Sequence, residues 1–472
     1  MSSLGGKNGE RPSLVNLDIL VVLMTSLTSL LDLIHVMRTC RAAYSAGVPV
    51  LLSGHPILIS KPKQLASFCS FMLADGATRC RHLRHLEFMN MKEVKDPATV
   101  EAFLEVLKNS HNLANLTLQH SDAFLKTDER VTLAFSALKS VKQLTIRDVT
   151  TTSTTMLDEM QSQVANATIS FKNSNGAESD PISLLKRFCP SLETLSLWLP
   201  DITSDDLESQ NIYPNMKTLH LTNWLFIEIE PLIHAFPNLR NLSVSMQGFT
   251  DAGLEEPEDE SRQINEDAQS RRQWESLDHV RGDVVNIYLL ALKCDIGVLD
   301  LEVNWEAEGE QIEAILADAH PTRFNFRFSD PYEGVLEGSN LQRTLEPASE
   351  AVTHLYVAVS DVEDHEQAID AVFEPLEACT NLVLLAVSLR AYGQTHSESD
   401  IKYVQELDFK EMAQRAVDLV PSLEHIVFEF SSRGPGRSYW KVQKDDEDDE
   451  DSFTLQELPD EVGCKLVEPD WN

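Results

Sequence analysis

Histidine and cysteine residues are the first candidates for chemistry in this sequence, because imidazole and thiolate groups are ligands that zinc prefers. Cys80, His82 and His85 lie close together, and His111 and His120 follow within the next repeat of the pattern described below. The apolar residues around them place these side chains at helix ends and on strand faces. The sequence also holds no Cys-x-x-C pair. We therefore expect no metal site.

The sequence lacks the common catalytic motifs. The 472-residue sequence contains no G-x-x-x-x-G-K-S/T loop, no H-E-x-x-H and no G-x-S-x-G. The glycine-rich stretch 434–437 has no strand before it and no helix after it, so it predicts a turn and not a phosphate-binding loop. We expect no catalytic residues and no cofactor, and we interpret the chain as a binding protein.

The strongest pattern is a short apolar phrase of the form L-x-x-L-x-L that recurs along the chain. Its central residues stand at 86, 116, 144, 195, 219, 242, 299, 326, 355, 385 and 426, and most steps lie between 23 and 30 residues. A repeat of this period with one short strand per unit is typical of a leucine-rich-repeat solenoid, an α/β repeat with a strand and a helix in each unit. We predict that fold over residues 53–430.

Two steps of the repeat are about twice the usual length. Between 144 and 195, Val164, Ala167 and Ile169 could supply a further unit. Between 242 and 299 the chain carries a charged segment near 253–273, which we interpret as a mobile loop or a short exposed helix. Between strands, Ala98–Leu107 and Pro181–Phe188 have apolar residues at three- and four-residue spacing, which predicts helices.

The net charge of the chain limits its possible binding partners, and its cysteines indicate the cellular compartment. The net charge is −36, and 12 acidic residues in the runs 255–260 and 445–451 leave −36 + 12 = −24 for the rest. This acidity argues against nucleic acid or an anionic membrane as a partner. Four of the seven cysteines (Cys80, Cys189, Cys294 and Cys379) precede a strand phrase, which predicts buried thiols in a reducing compartment, the cytoplasm or the nucleus.

The N-terminal segment Leu17–Met37 is apolar enough to imitate a signal peptide or a membrane anchor. Asp18 and Asp32 interrupt it, and Thr25–Ser29 divides it into two short pieces. A membrane span needs about 20 largely uncharged residues. We therefore predict two packed helices after a disordered stretch 1–12.

The same segment resembles an F-box. Asp18–Leu20 and Thr39–Tyr44 match the family phrase, while Val15 and Asn16 stand in place of its Leu-Pro opening and Ser29 in place of an acidic residue. With the repeats that follow, and with the segments Trp274–Asp283 and Ile287–Leu290, the chain is similar to basidiomycete-type fungal F-box proteins with C-terminal leucine-rich repeats. The resemblance covers residues 13–52 as an all-helical F-box.

This resemblance implies a substrate-recognition subunit of an SCF-type ubiquitin ligase. The F-box would dock a Skp-type adaptor joined to a cullin, and the repeats would hold a protein substrate, which the sequence does not name. Apolar side chains at three- and four-residue spacing suit a helix that lies in a groove. The adaptor-binding candidates are Leu17, Ile19, Leu20, Leu23, Leu30, Leu33, Ile34 and Cys40. The same apolar residues could instead form the small core of the F-box itself.

Substrate contacts are expected on the strand positions that alternate with the buried residues. Aromatic and arginine side chains contribute most at protein interfaces, so the candidates are Trp198, His220, Arg327 and Tyr356, each of which could also be an exposed residue without a role. The alternative function is a leucine-rich-repeat scaffold whose degenerate F-box does not bind an adaptor. We predict a largely disordered acidic tail over 431–472, in which Leu455, Leu458, Val462, Leu466 and Val467 could form a short docking helix.

Overall fold

The computed structural model describes residues 17–171, 180–198, 211–223, 228–245, 258–303, 309–328, 345–360, 369–370, 372–390, 407–430, 436–444 and 453–467. The chain divides into two compact units. Unit 1 comprises Met1–Ser179 and Leu184–Leu195, and unit 2 comprises Asp180–Ser183 and Ser196–Asn472. Each unit repeats one strand and its connecting helical segment.

Unit 1 opens with three helices and continues with strands that alternate with helices. Its helices are α1 (Leu17–Ser26), α2 (Leu30–Met37), α3 (Arg41–Gly54), α4 (Pro62–Leu73), α5 (Pro97–Asn109), α6 (Asp122–Leu125), α7 (Glu129–Ser136) and α8 (Thr151–Glu159). Its strands are β1 (Ile57–Ile59), β2 (His85–Met89), β3 (Asn115–Gln119), β4 (Gln143–Val149) and β5 (Asn166–Phe171). Helix α9 (Pro181–Leu184) and strand β6 (Thr194–Trp198) lie across the division between the units.

Unit 2 continues the alternation and ends in two further strands and a helix. Its strands are β7 (Thr218–Thr222), β8 (Asn241–Ser245), β9 (Ser276–Asp283), β10 (Asp295–Val303), β11 (Arg323–Phe328), β12 (His354–Ser360), β13 (Leu384–Arg390), β14 (His425–Phe430), β15 (Gly436–Lys444) and β16 (Phe453–Leu458). Its helices are α10 (Glu230–Ala235), α11 (Glu258–Arg271), α12 (Val284–Leu290), α13 (Gly309–Ala319), α14 (Phe409–Leu419) and α15 (Asp460–Val467).

Consecutive strands pair in sequence order within each unit. In unit 1, β1 to β5 are all parallel, and in unit 2, β7 to β14 are parallel. Strands β15 and β16 then pair antiparallel to β14 and to each other. The register places the central residues of the repeat opposite one another, as in Leu86, Leu116 and Leu144. The predicted α/β repeat with one strand per unit is confirmed.

One face of each sheet packs on the helices. Phe88 of β2 lies 5.6 Å from Phe103 of α5 and 4.9 Å from Phe124 of α6, measured between ring centroids. In unit 2, Phe428 of β14 stacks on Phe409 of α14 at 5.8 Å. Because alternate side chains of a strand point to opposite sides, the intervening residues lie on the other side of the sheet. We call that side the outer face.

The same pattern of backbone hydrogen bonds recurs between successive repeats, just before each strand. Two successive backbone N–H groups donate to one carbonyl of the preceding repeat, as when Ala114 and Asn115 both donate to Arg84. The same pair of bonds recurs in unit 2, where Val383 and Leu384 both donate to Thr353. This repeated bond satisfies the backbone where helix passes into strand.

The strand ends repeat a second feature, a residue in the left-handed region. Asn90, His120 and Asn223 have φ angles of 52°, 47° and 54°. The N–H of Asn90 donates to the Gln119 carbonyl, and that of Asn223 donates to the Ser245 carbonyl, each at 2.9 Å. Asparagine tolerates this conformation better than most residues, so the chain leaves the strand at little cost.

The two long steps of the repeat each contain an additional strand. Strand β5 (Asn166–Phe171) contains Ala167 and Ile169, at the place where the sequence allowed a further unit. Strand β9 was not recognised, because Gly282 takes the third apolar position of its phrase. A Cβ at Gly282 would lie 2.6 Å from the Val244 carbonyl oxygen and 2.8 Å from Ile287. Close packing of β8 and α12 therefore requires the glycine.

The charged segment near 253–273, expected as a mobile loop or a short exposed helix, includes a helix that is partly buried. Residues 258–271 form α11, and Asn265 and Gln269 on it are buried. The Asn265 side chain accepts from the Ile229 N–H at 2.9 Å and donates to the Leu289 carbonyl at 2.8 Å. Gln269 donates to the Leu290 carbonyl at 2.8 Å. The helix packs through polar side chains, which an apolar pattern does not detect.

The C-terminal tail differs from the predicted largely disordered segment over 431–472. Strands β15 and β16 and helix α15 lie within it. Tyr439, Trp440 and Val442 of β15 are buried. These three side chains supply the apolar surface that packs the hairpin on the last repeat. The acidic run beside them made the tail as a whole look too polar to fold.

Candidate binding surfaces

Helices α1, α2 and α3 pack on one another around a small core. Helices α1 and α2 both contact α3. Met24, Leu33 and Met37 are buried in this core together with Ala43. A Cβ on Gly47 of α3 would collide with the Met37 side chain. The helices therefore approach closely at that glycine.

The ends of α2 and α3 are fixed by side-chain caps. The Ser29 hydroxyl accepts from the Asp32 N–H at 3.4 Å, so it performs the capping that an acidic residue could also provide. The Cys40 sulfur accepts from the Ala43 N–H at 3.4 Å. That backbone hydrogen bond lowers the pKa of the exposed Cys40 thiol. Ser29, which departs from the F-box phrase, and Cys40, which matches it, thus fix the starts of α2 and α3.

The three helices leave large apolar side chains in solvent. Half of the exposed large apolar residues in the described part of the chain belong to them, so the exposure is concentrated here. These residues are Ile19, Val22 and Leu23 on α1, Leu30 and Leu31 on α2, and Tyr44 on α3. Large exposed apolar groups mark interaction sites on soluble proteins.

The candidate F-box residues other than Leu17 fall into three groups by exposure. Ile19, Leu23, Leu30 and Cys40 are exposed, and Leu20 and Ile34 are half-buried. Leu33 is 0% exposed and belongs to the core of the three helices, so the assignment of Leu33 to adaptor contact is corrected. Leu17 begins α1, and its side chain lies outside the described part.

Three exposed residues were missed from the candidate list. Val22 and Leu31 are 66% and 67% exposed, and Tyr44 is also exposed. The signal was present in the sequence of α1, LDILVVLMTS, which is apolar on all sides. Such a helix is normally buried on all sides, and this one has an exposed side.

The outer face of β2 to β5 in unit 1 is polar, and we call it the open face. Register places Thr117, Thr145 and Thr168 in one row across β3, β4 and β5. A second row contains Asn115, Gln143 and Asn166. None of these six side chains is buried. Their hydroxyl and amide groups can hydrogen-bond to a partner.

A charged cluster lies on the outer face of β9 to β11. Asp300 is buried, and its carboxylate pairs with Arg327 at 3.1 Å and with Arg281 at 3.8 Å. The Arg327 guanidinium also lies 5.9 Å from the centroid of the Tyr356 ring. Two cations thus share one buried carboxylate, and the exposed Glu302 lies opposite Arg327 in the register.

The four candidate substrate-binding residues differ in accessibility. Trp198 is 41% exposed, and His220 is exposed with a pKa lowered by partial desolvation. The Arg327 guanidinium forms an ion pair with the Asp300 carboxylate, so it is less available to a partner. Tyr356 is only 4% exposed, so its assignment to a free strand face is corrected. The reason is that the chain covers this part of its own sheet.

The covered region is the outer face of β12 to β14 together with Tyr439 of β15, and we call it the closed face. Its side chains are apolar or small and buried: Tyr356, Ala358, Leu384, Ala386, Val427 and Tyr439. Leu458 and Cys464 pack against them. The Tyr439 hydroxyl and the Cys464 sulfur are 3.3 Å apart. Burial and this hydrogen bond raise the pKa of Tyr439 to about 12.

The cysteines and histidines are dispersed over the described parts of the structure. Cys80, Cys294 and Cys379 are buried, Cys189 is half-buried, and all seven thiols are free. Burial raises the pKa of Cys294 and that of Cys379 to about 11. Among the described residues, no three His, Cys, Asp or Glu side chains are grouped so that they could hold a metal ion. Nor does any described helix combine the length and apolarity that a membrane crossing requires.

Comparison with known proteins gives little. No protein-family model matches the chain. No curated protein matches it. Among solved structures, it is similar to the leucine-rich repeat-containing protein LegL7 from Legionella pneumophila, with 12% identity over 64% of this chain and 87% of that chain and a TM-score of 0.35. At that TM-score the likeness carries no argument, and the repeat architecture rests on the strands and register described above.

Proposed function

We propose that this chain is the substrate-recognition subunit of an SCF-type ubiquitin ligase. Helices α1 to α3 would dock a Skp-type adaptor, and the outer face of the repeats would bind a protein substrate. The chain itself would be non-catalytic and would act in the cytoplasm or the nucleus. The observation that supports the proposal is the concentration of exposed apolar side chains on the three N-terminal helices.

Binding a partner over these exposed side chains would lower the free energy, because it would remove apolar surface from water. Burying one large aliphatic side chain stabilises by roughly 1.5–3 kcal/mol. On α1, Ile19, Val22 and Leu23 have the three- and four-residue spacing of a helix that lies in an apolar groove. Met24 on the same helix is buried in the core. One side of α1 thus holds the three helices together, and the other remains free for an adaptor.

The open face is the best candidate for the substrate. Its threonine and amide rows present hydrogen-bonding groups in register across three strands. Trp198 and His220 are further exposed positions in unit 2. The alternative is a repeat scaffold that binds protein partners without an adaptor. It is favoured by Val15 and Asn16, which depart from the F-box opening and lie outside the described residues.

The experiment that tests the proposal is a binding measurement between the full chain and a purified Skp-type adaptor. The test variant is Val22→Asp with Leu31→Asp, which places charges on the two most exposed apolar positions. We expect at least about a tenfold loss of affinity, because apolar anchors in an interface contribute about 1–2 kcal/mol or more each. Leu133→Asp is the matched control, since Leu133 is an exposed leucine on α7.

Circular dichroism on each variant shows whether the fold is kept. Leu33→Asp is unsuitable as a test, because it puts a carboxylate into the core of the three helices and would abolish binding by unfolding them. If the wild-type chain does not bind the adaptor, the scaffold alternative is favoured. If the double variant and Leu133→Asp bind equally well, docking through α1 and α2 is wrong.

A further inference from the structure

The closed face has the composition of a protein core although it lies on the outer side of the sheet. Register aligns Tyr356, Ala386 and Val427 with Tyr439 in one row across four strands. The equivalent positions of the open face carry threonine and amide side chains. Apolar residues in this row must be shielded from water, and the hydrophobic effect favours whatever segment shields them.

The chain provides its own shield in helix α15. The helix lies so close to the sheet that a Cβ on Gly463 would collide with the Tyr439 ring. Cys464, the next residue, contacts the Tyr439 hydroxyl. Leu458, at the end of β16, also packs on this cluster. A helix can therefore pack on the closed face only if it has a small residue opposite Tyr439.

Few of the described residues of helix α15 are buried. Among its described side chains, Gly463 is buried and Cys464 is half-buried, while Asp460, Glu461 and Lys465 are exposed and Val462 is 48% exposed. A helix of eight residues is marginal in water without tertiary support. The residues beneath it are almost completely buried, so the helix shields an apolar surface while most of its own described residues remain exposed.

The C-terminal hairpin already caps the last repeat, so α15 is not needed for that purpose. Strand β15 pairs with the edge of β14, and Trp440 lies opposite Ile426 on the helix side of the sheet. Trp440 and Val442 are buried there, and α14 packs on both strands of the hairpin. Helix α15 instead covers the opposite side, where a partner would bind.

From these contacts we propose that the closed face is a helix-docking surface that α15 occupies in cis and that a short helix of a partner protein can take over. The partner helix would carry a glycine or another small residue opposite Tyr439 and an apolar or thiol neighbour in the place of Cys464. The proposal does not depend on adaptor docking by α1 to α3, and its variants lie in a different unit.

The test uses the full chain and a labelled synthetic peptide of residues 457–472. In the Gly463→Leu chain the larger side chain collides with Tyr439 and displaces α15, which empties the face. We expect the peptide to bind this chain at least about tenfold more tightly than the wild-type chain, where α15 competes at the high effective concentration of a linked segment. Fluorescence anisotropy measures both affinities.

Two controls define the site. Val462→Leu in the chain changes an exposed position of the same helix and should leave the weak binding of the wild type unchanged. A peptide that carries Gly463→Leu should bind neither chain. If the wild-type peptide binds both chains equally, or fails to bind a folded Gly463→Leu chain, α15 is a fixed part of the fold and the proposal is wrong.

Hydrogen exchange on the wild-type chain gives a second test that needs no variant. A displaceable helix opens without the sheet, so the amides of α15 should exchange at least about 100-fold faster than those of β13. Equal protection of α15 and β13 would overturn the proposal even if the Gly463→Leu chain did not fold.

Discussion

The open face of unit 1 and the closed face of unit 2 occupy equivalent positions of the same repeat and have opposite character. On the open face, Thr117, Thr145 and Thr168 remain accessible. On the closed face, Tyr356, Ala386 and Val427 are buried. The backbone register is the same in both. The two faces share one backbone arrangement, so the residue types at the outer-face positions of the strands determine which part of the sheet is accessible to a partner.

The largest expected effect comes from placing a charge on each face. Ala386→Glu buries a carboxylate on the closed face and should destabilise β13 by about 3 kcal/mol or more. Thr168→Glu, at an exposed position of the open face, should change stability by less than about 0.5 kcal/mol. Native-state hydrogen exchange of β13 and β5 measures the two effects separately. Similar losses in both strands would remove the distinction between the faces.

A smaller effect is expected from alkaline pH. The pKa of Tyr439 is raised to about 12, above the ordinary value near 10 of an unfolded chain. The folded chain then holds this proton more strongly, so the stabilisation is complete below about pH 10 and is lost as pH rises to about 12. The loss should be at most about 3 kcal/mol, since the pKa differs by about 2 between the folded and the unfolded chain and a difference of 1 corresponds to about 1.4 kcal/mol.

The measurement is the protection of β15 amides between pH 9 and 12, corrected for the intrinsic exchange rate. Tyr439→Phe removes the titrating group and should flatten this part of the profile while the open face behaves as before. If the phenylalanine variant keeps the same slope, the alkaline loss comes from groups outside the closed face.

The smallest effect is expected where the two units are alike. Asn90 of unit 1 and Asn223 of unit 2 both hold the left-handed conformation at a strand end. Glycine adopts this conformation without strain but is more flexible when unfolded. Asn90 is exposed, so Asn90→Gly should change the free energy of unfolding by less than about 1 kcal/mol, measured by urea denaturation. The Asn223 side chain is buried, so Asn223→Gly should cost about 1 kcal/mol or more in addition, because it also removes packing and hydrogen-bonding groups. An equally small change in both variants would show that only the backbone conformation matters at these strand ends.

The sequence predicted the repeat well because its signal is local. Each phrase such as Leu116 and Leu118 places two side chains on the same side of one strand, and every central residue used for the period lies in a strand. The exceptions have physical causes. Gly282 replaced an apolar residue where β8 and α12 approach closely, and α11 packs through the amides of Asn265 and Gln269.

The candidate sites were harder to predict because accessibility depends on distant segments. Nothing near Tyr356 in the sequence indicates that residues about 100 positions later cover it. Leu33 and Leu31 are both apolar and two positions apart on α2, yet one is buried and the other exposed. Only the packing of α2 on α3 separates them. A helix does form in the tail, at Asp460–Val467, but it differs from the suggested docking helix, because Leu455 and Leu458 lie in β16 and Val462 is exposed.

The reversal of direction at the C-terminal hairpin has a consequence for how such a chain can lengthen. Strand β15 runs antiparallel to β14 and occupies the edge that the next parallel strand would need. A duplicated strand-and-helix segment can therefore be accommodated only before the hairpin. The hairpin acts as a stop at this end of the sheet.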